Sequence, residues 1–310
     1  MMKNTIISIL AYAAATALSA CTGPDNSFMS EDWDKVISDY VDDGEKVYYD
    51  KIARLNLALA QKGELGDKAF SYTQAGSEGL WPEWSQSGEN GALLSDIYFA
   101  MGYVALAQRM AFETDVLSPK GHDPRMLARL VQTNLIFGAY PVAEKYICEL
   151  EKNPSTRKWA QSQRQFLAGD EAVDRDPLLS SMKKCLPEQN FTTGDEGLTE
   201  ALKSIIRTNP SQRIAVEYLG TLYLLDLDFD GFRSFLDEFY GTQALPSLPR
   251  SFSEAACMMS ELDHGYWKTV GVSPDTYKNF REFSKRLGTG LPMDKFKDTY
   301  YYYVMMANAQ

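Results

Sequence analysis

Two stretches of this chain repeat one pattern of helix, glycine and helix 36 residues apart, and that recurrence limits the fold more than any other feature. "LSDIYFAMGYVALAQRMAFET" from Leu94 aligns with "LVQTNLIFGAYPVAEKYICEL" from Leu130. Gly102 then falls on Gly138, Ala107 on Ala143, Arg109 on Lys145 and Glu113 on Glu149. Glycine takes the left-handed conformation that ends a helix without steric cost. The alanine five residues later leaves room for the second helix to lie close against the first. The spacing of apolar residues is helical elsewhere too. Trp33, Ile37 and Tyr40 recur at i, i+4 and i+7 behind Ser30, which reads as an N-cap, and Ile52, Leu55 and Leu59 mark a helix that stops near Gly63. Sustained period-two alternation is absent, so strands are not expected and the fold class is all-α.

The recurrence resembles the tetratricopeptide repeat, in which small residues sit at the helix crossing and a proline follows the pair. Asn153-Pro154 supplies that proline, and Leu219-Gly220 with Tyr223 stands as L-G-x-x-Y of a first helix. The resemblance implies an array of antiparallel helical hairpins, a right-handed α-solenoid over residues 30–310. The period departs from the usual 34, and Leu127 and Val216 stand where that repeat carries Trp. The repeats are therefore TPR-like.

The stretch "DLDFDGFRSFLD", Asp226 to Asp237, carries a competing signal. Its acids at positions 1, 3, 5 and 12 and its glycine at 6 approach the calcium loop of an EF-hand. That loop needs extended backbone through position 9 and a bidentate Glu at 12. Here Phe232, Phe235, Leu236 and Phe239 form a helical stripe that begins inside the loop, and position 12 is the shorter Asp237. The stretch reads as a turn between paired helices, with acids at the start of the second. Asp226, Asp228, Asp230 and Asp237 remain the only metal candidate, one of low affinity, and no cofactor is expected.

The first 20 residues read as a secretory signal peptide: Lys3, then an uncharged apolar run to Ala20. Leu18-Ser19-Ala20-Cys21 resembles a bacterial lipobox, which implies acylation of Cys21 and a flexible tether over 21–29. Two or more acyl chains hold a protein stably on a membrane without spanning it. Thr22 after the cysteine, by resemblance to lipoprotein sorting, points to the outer membrane, on its periplasmic or cell-surface face. Lys3 is the only charge removed with the leader, so 30 basic residues then face 42 acidic ones, a net charge of −12. So acidic a chain, without a basic stripe, is not a nucleic-acid binder.

Catalytic motifs are absent. The two histidines, His122 and His264, stand in turns and read as solvated, and carboxylate pairs such as Asp42-Asp43 lie on polar faces. Cys148, Cys185 and Cys257 lack zinc spacing, and their pairing is open. Trp81 and Trp84, in the loop "EGLWPEWSQSGENG", are candidate contacts to a protein or glycan, or else a satellite core. The block Tyr300 to Tyr303 reads as a terminal capping helix with at least one ring turned to water.

"NLALAQKGELGDKAFSY", "AQRMAFETDVL", "LVQTNLIFGAYPVAEKY" and "STRKWA" together resemble uncharacterised envelope proteins of Bacteroides type, lipoproteins or multi-span proteins with a soluble TPR-like domain. The expected function is a non-catalytic scaffold or binding lipoprotein that offers a helical-repeat groove to a protein or peptide partner. The alternatives are a glycan-capture lipoprotein resembling the SusD group and an enzyme whose acid pair is assembled only by folding. The oligomeric state is not readable.

Overall fold

A computed structural model describes residue 29 and residues 31–41, 48–85, 90–119, 121–187 and 195–308. Among the described residues the chain forms seventeen α-helices, three 3-10 turns and no strand, as the helical spacing predicts. No helix among them is long and apolar enough to cross a membrane. Where the resemblance implies one array over 30–310, the chain gathers into two compact units: residues up to 36 with 82–212, and 37–81 with 213–310.

The first helix, α1 (Trp33–Asp39), is capped by Asp32, whose Oδ1 accepts the Lys35 amide at 3.1 Å. Ser30, the cap expected from the sequence, lies outside the described residues. In the first unit, α4 (Gly91–Met101) and α5 (Val104–Leu117) form one hairpin and α6 (Pro124–Ile136) and α7 (Tyr140–Glu151) the next. The predicted register holds. Gly102 and Gly138 have φ of 87° and 70°. In each turn the following amide reaches back five residues, Tyr103 N to Tyr98 O and Ala139 N to Asn134 O, both at 2.8 Å. This is a Schellman cap, which satisfies carbonyls that a helix end leaves without partners. Ala107 and Ala143 are 0 % exposed at the two crossings. Ser95 Oγ donates to the Ala107 carbonyl at 2.9 Å and ties α4 to α5.

Around these hairpins pack α8 (Arg157–Gln163), α9 (Asp170–Arg175) and α10 (Pro177–Lys184), and α11 (Asp195–Thr208) ends the unit. Leu127, Leu130, Leu135, Ile147, Trp159 and Phe166 share one core. A buried ionic cluster joins α4 to α6. Asp96 Oδ1 accepts from Arg129 Nη2 at 3.0 Å, Arg125 pairs with the other oxygen, and the Arg129 guanidinium lies 3.7 Å from the centre of the Phe99 ring.

The second unit contains α2 (Tyr49–Gln61), α3 (Leu65–Lys68), α12 (Arg213–Leu225), α13 (Phe229–Phe239), α14 (Arg250–Met259), α15 (Tyr266–Thr269), α16 (Pro274–Arg286) and α17 (Tyr300–Ala307). Gly63, with φ 69°, ends α2 as its spacing predicts. One device appears twice here. Arg213 Nε donates to Glu217 at 2.7 Å and Arg250 Nε to Glu254 at 2.9 Å, each across one helical turn. The second oxygen of each glutamate accepts the amide that opens a distant helix: Leu65 N at 3.0 Å and Tyr300 N at 2.7 Å. Burial raises both carboxyls above the usual carboxylate range, against the pull of the arginines and amides.

Gly220 of the L-G-x-x-Y motif is needed for close approach, since a Cβ there would stand 2.1 Å from the Phe252 ring. Of the terminal tyrosines, Tyr300 and Tyr301 are buried and Tyr302 and Tyr303 half-buried. The Tyr300 and Tyr303 hydroxyls donate to the Leu224 and Leu225 carbonyls, at 3.0 and 3.3 Å, and so satisfy the end of α12.

Candidate functional site

Cys21 lies outside the described residues. Trp81 stacks on the buried Tyr218, with ring centres 6.4 Å apart and planes at 16°, so its face is used within its own unit. Trp84 is 37 % exposed. In "DLDFDGFRSFLD", α12 stops at Leu225 and α13 starts at Phe229, which makes helix of positions 4 to 12 of the calcium-like loop. The Asp228 carboxylate accepts the Gly231 amide at 2.9 Å as the cap of α13. Asp226, Asp228, Asp230 and Asp237 are all exposed. Among the described residues no group of three or more His, Cys, Asp and Glu is placed to hold a metal ion. The three cysteines from Cys148 onward are free thiols. Burial pushes Cys185 up to about 11 and Cys257 up to about 12, which makes both inert at neutral pH, whereas Cys148 is exposed.

The geometry gathers instead around His122, which the sequence reads as a solvated turn residue. A cleft of about 230 Å³ opens in the first unit between the start of α6 and the end of α7. Pro124, Leu127 and Leu150 supply its apolar lining, and His122, Glu149, Lys152, Asn153 and Thr156 its polar lining. His122 Nδ1 is 2.9 Å from Asp115 Oδ2, and Asp115 Oδ1 accepts the Asp123 amide at 2.8 Å. Asp115 is buried near the end of α5, while the His122 side chain is 56 % exposed. Asp123 in turn caps α6 through the amides of Arg125 and Met126. A short chain of carboxylates therefore fixes both the connection from α5 to α6 and the imidazole.

A carboxylate can only accept, so the neutral ring carries its proton on Nδ1 and offers Nε2 as an acceptor. At the other side of the cleft, Lys152 beside Glu149 holds that carboxyl below the usual range. The Thr156 hydroxyl donates to the Leu150 carbonyl at 2.6 Å, so it serves the turn rather than the opening. Asn153 Oδ1 accepts the Ser155 amide and hydroxyl at 3.0 and 2.9 Å. The arrangement can hold a small apolar group against Leu127 and Leu150 with one oriented imidazole beside it. In sequence, the signal for it was only an Asp seven residues before a His, across a loop of unknown path.

Next to this cleft, α5 leaves large apolar side chains in water. Phe112 is 52 % exposed and Val116 65 %, one helical turn apart, and Leu117 is exposed beside them.

Residues 7–307 match a family model described as a family of unknown function, DUF6057. No curated protein and no solved structure matches the chain.

Proposed function

The chain belongs to this family of unknown function, and from that premise we propose that it is a non-catalytic binding lipoprotein of the cell envelope. Acylated at Cys21 and held on the outer membrane, it offers a helical-repeat groove, built from TPR-like hairpins, to a protein or peptide partner. The observation that carries the binding role is the exposed pair Phe112 and Val116 on one face of α5. Apolar side chains on one helix face favour association when a partner removes them from water. The repeated Gly-then-Ala register of the two hairpins supports the repeat architecture. The Leu18-Ser19-Ala20-Cys21 run supports the anchor.

The stacking of Trp81 on Tyr218 weighs against glycan capture, because it removes one of the two tryptophans on which that reading depends. A catalytic reading has one observation in its favour, the His122–Asp115 pair at a cleft.

Two experiments test the proposal. Cys21→Ser should move the protein from the membrane fraction to the soluble periplasm, and unchanged retention would sink the anchor. A photo-crosslinking residue at position 112 should give a discrete adduct in intact cells. The same residue at position 171 of the same unit, where Glu171 is 96 % exposed, should not. Identical adduct patterns from both positions would count against a specific binding face.

A further inference from the structure

We infer that the His122 cleft is the specificity pocket of this binding face. It would take one branched aliphatic side chain of a peptide, with the peptide N–H of that residue donating to His122 Nε2. The inference rests on the binding reading above and adds the chemistry that would be recognised. Its first support is size. At about 230 Å³ the cleft is smaller than the roughly 300–1,000 Å³ of pockets that enclose drug-sized ligands. One side chain suits it.

The second support is chemistry. Pro124, Leu127 and Leu150 present aliphatic surface, which suits a Leu-like or Ile-like group. The polar groups near the opening are already engaged: Lys152 is paired with Glu149, and Asp115 accepts from the His122 ring and the Asp123 amide. Besides the Asn153 amide nitrogen, the directional group at the opening is the far nitrogen of an imidazole whose proton is held on Nδ1 by a buried carboxylate. A neutral ring of this tautomer accepts from an N–H donor. A ligand carboxylate would add an anion next to Asp115 and Glu149, so the pocket favours an internal residue over a free acid.

The third support is position. Phe112, Asp115 and Val116 stand at i, i+3 and i+4, on one face of α5. The buried member of that trio holds His122, and the two exposed members flank it. A segment laid over Phe112 and Val116 thus arrives at the residue that orients the pocket.

The chain has two histidines, and the second, His264, is exposed in the other unit and serves as an internal reference. Imidazole ¹⁵N signals of the whole chain can therefore be assigned with one substitution. N-acetylleucine methylamide should shift the His122 signals saturably, with an affinity of about 1 mM as befits so small a ligand, and leave His264 unmoved. N-acetylglycine methylamide should not. N-acetylleucinate should bind more weakly than the leucine amide, and tighter binding of the acid would overturn the assigned donor. Asp115→Asn places an amide N–H against Nδ1 and moves the ring proton to Nε2, a change the ¹⁵N shifts read directly. That variant and His122→Ala should each weaken the leucine amide about three- to tenfold at unchanged fold, the loss for His122→Ala read from the Leu127 and Leu150 methyl signals. Equal binding by all three chains, or no saturable shift, would refute the pocket. Crosslinking from position 112 tests the binding face alone and the amide titration tests the pocket alone, so the two failures are distinguishable.

Discussion

Leu227 holds at the end of α12 the left-handed position that Gly138 holds at the end of α6, with φ of 56° against 70°. The hydrogen bonds match as well. Asp228 N reaches Tyr223 O at 2.9 Å, as Ala139 N reaches Asn134 O at 2.8 Å. Among the described residues Leu227 is the only one other than glycine with positive φ. For an L-residue that conformation costs about 1–2 kcal/mol. The calcium-like stretch is thus a helix cap in which leucine replaces the usual glycine.

Leu227→Gly should therefore stabilise the protein by about 0.5–1 kcal/mol, less than the full strain because glycine adds entropy to the unfolded chain. Gly138→Ala should cost about 1–2 kcal/mol through φ alone, since a Cβ there would have no neighbour closer than 3.8 Å. Gly102→Ala should cost more, because its Cβ would stand 2.8 Å from Cys185 Sγ. Urea midpoints of the three variants check the order. If Gly102→Ala and Gly138→Ala lose the same amount, the Cys185 contact is not the tight one described.

Ala143, 0 % exposed where α7 crosses α6, has no space for a larger side chain. Ala143→Leu should overpack the crossing and cost about 1–3 kcal/mol. A thermal melt superimposable on the wild type would mean that the hairpin register is wrong.

The buried Asp96 is held by Arg125 and Arg129. Asp96→Ala leaves the Arg129 guanidinium buried without its carboxylate, and loss of one partner of a buried pair costs about 3–5 kcal/mol. Asp96→Ala combined with Arg129→Met should recover much of that loss. A double variant no more stable than Asp96→Ala alone would show that the cluster acts otherwise than by charge.

Stability should depend on pH through Glu217, whose carboxyl burial raises above 4.5. The folded chain holds that proton more tightly than the unfolded chain. The contribution is therefore fully present below the unfolded pKa and is lost as pH rises through the folded value. Glu217→Gln keeps an acceptor for the Leu65 amide and removes the ionisable proton. Its urea midpoint should decline less steeply than the wild type between pH 4.5 and neutrality. Parallel curves would assign the pH dependence to other groups.

Much of the fold was legible because its signals act over a few residues. Gly102, Gly138 and Gly63 mark helix ends because a cap is a matter of one left-handed residue and the amides beside it. The stripe Phe232, Phe235, Leu236 and Phe239 predicts α13 because a helix repeats every 3.6 residues, and all four are buried there. The two-unit division, the burial of Tyr301 and the choice of Tyr218 as the partner of Trp81 were not legible. Each depends on a surface supplied by residues remote in the chain.

The sequence by itself thus determined the helical class, the helix ends at Gly63, Gly102 and Gly138, the two hairpins and the loss of the calcium loop to helix. Only the tertiary structure decided which polar groups meet. Glu217 receives an amide 152 residues away, Asp96 lies 33 residues from Arg129, and Asp115 reaches His122 across a loop whose path no local rule specifies. Helix propensity and capping are local free energies between residues within about one turn. Such pairings instead form where folding buries charged and polar groups, which must then find partners at whatever distance along the chain the packing provides.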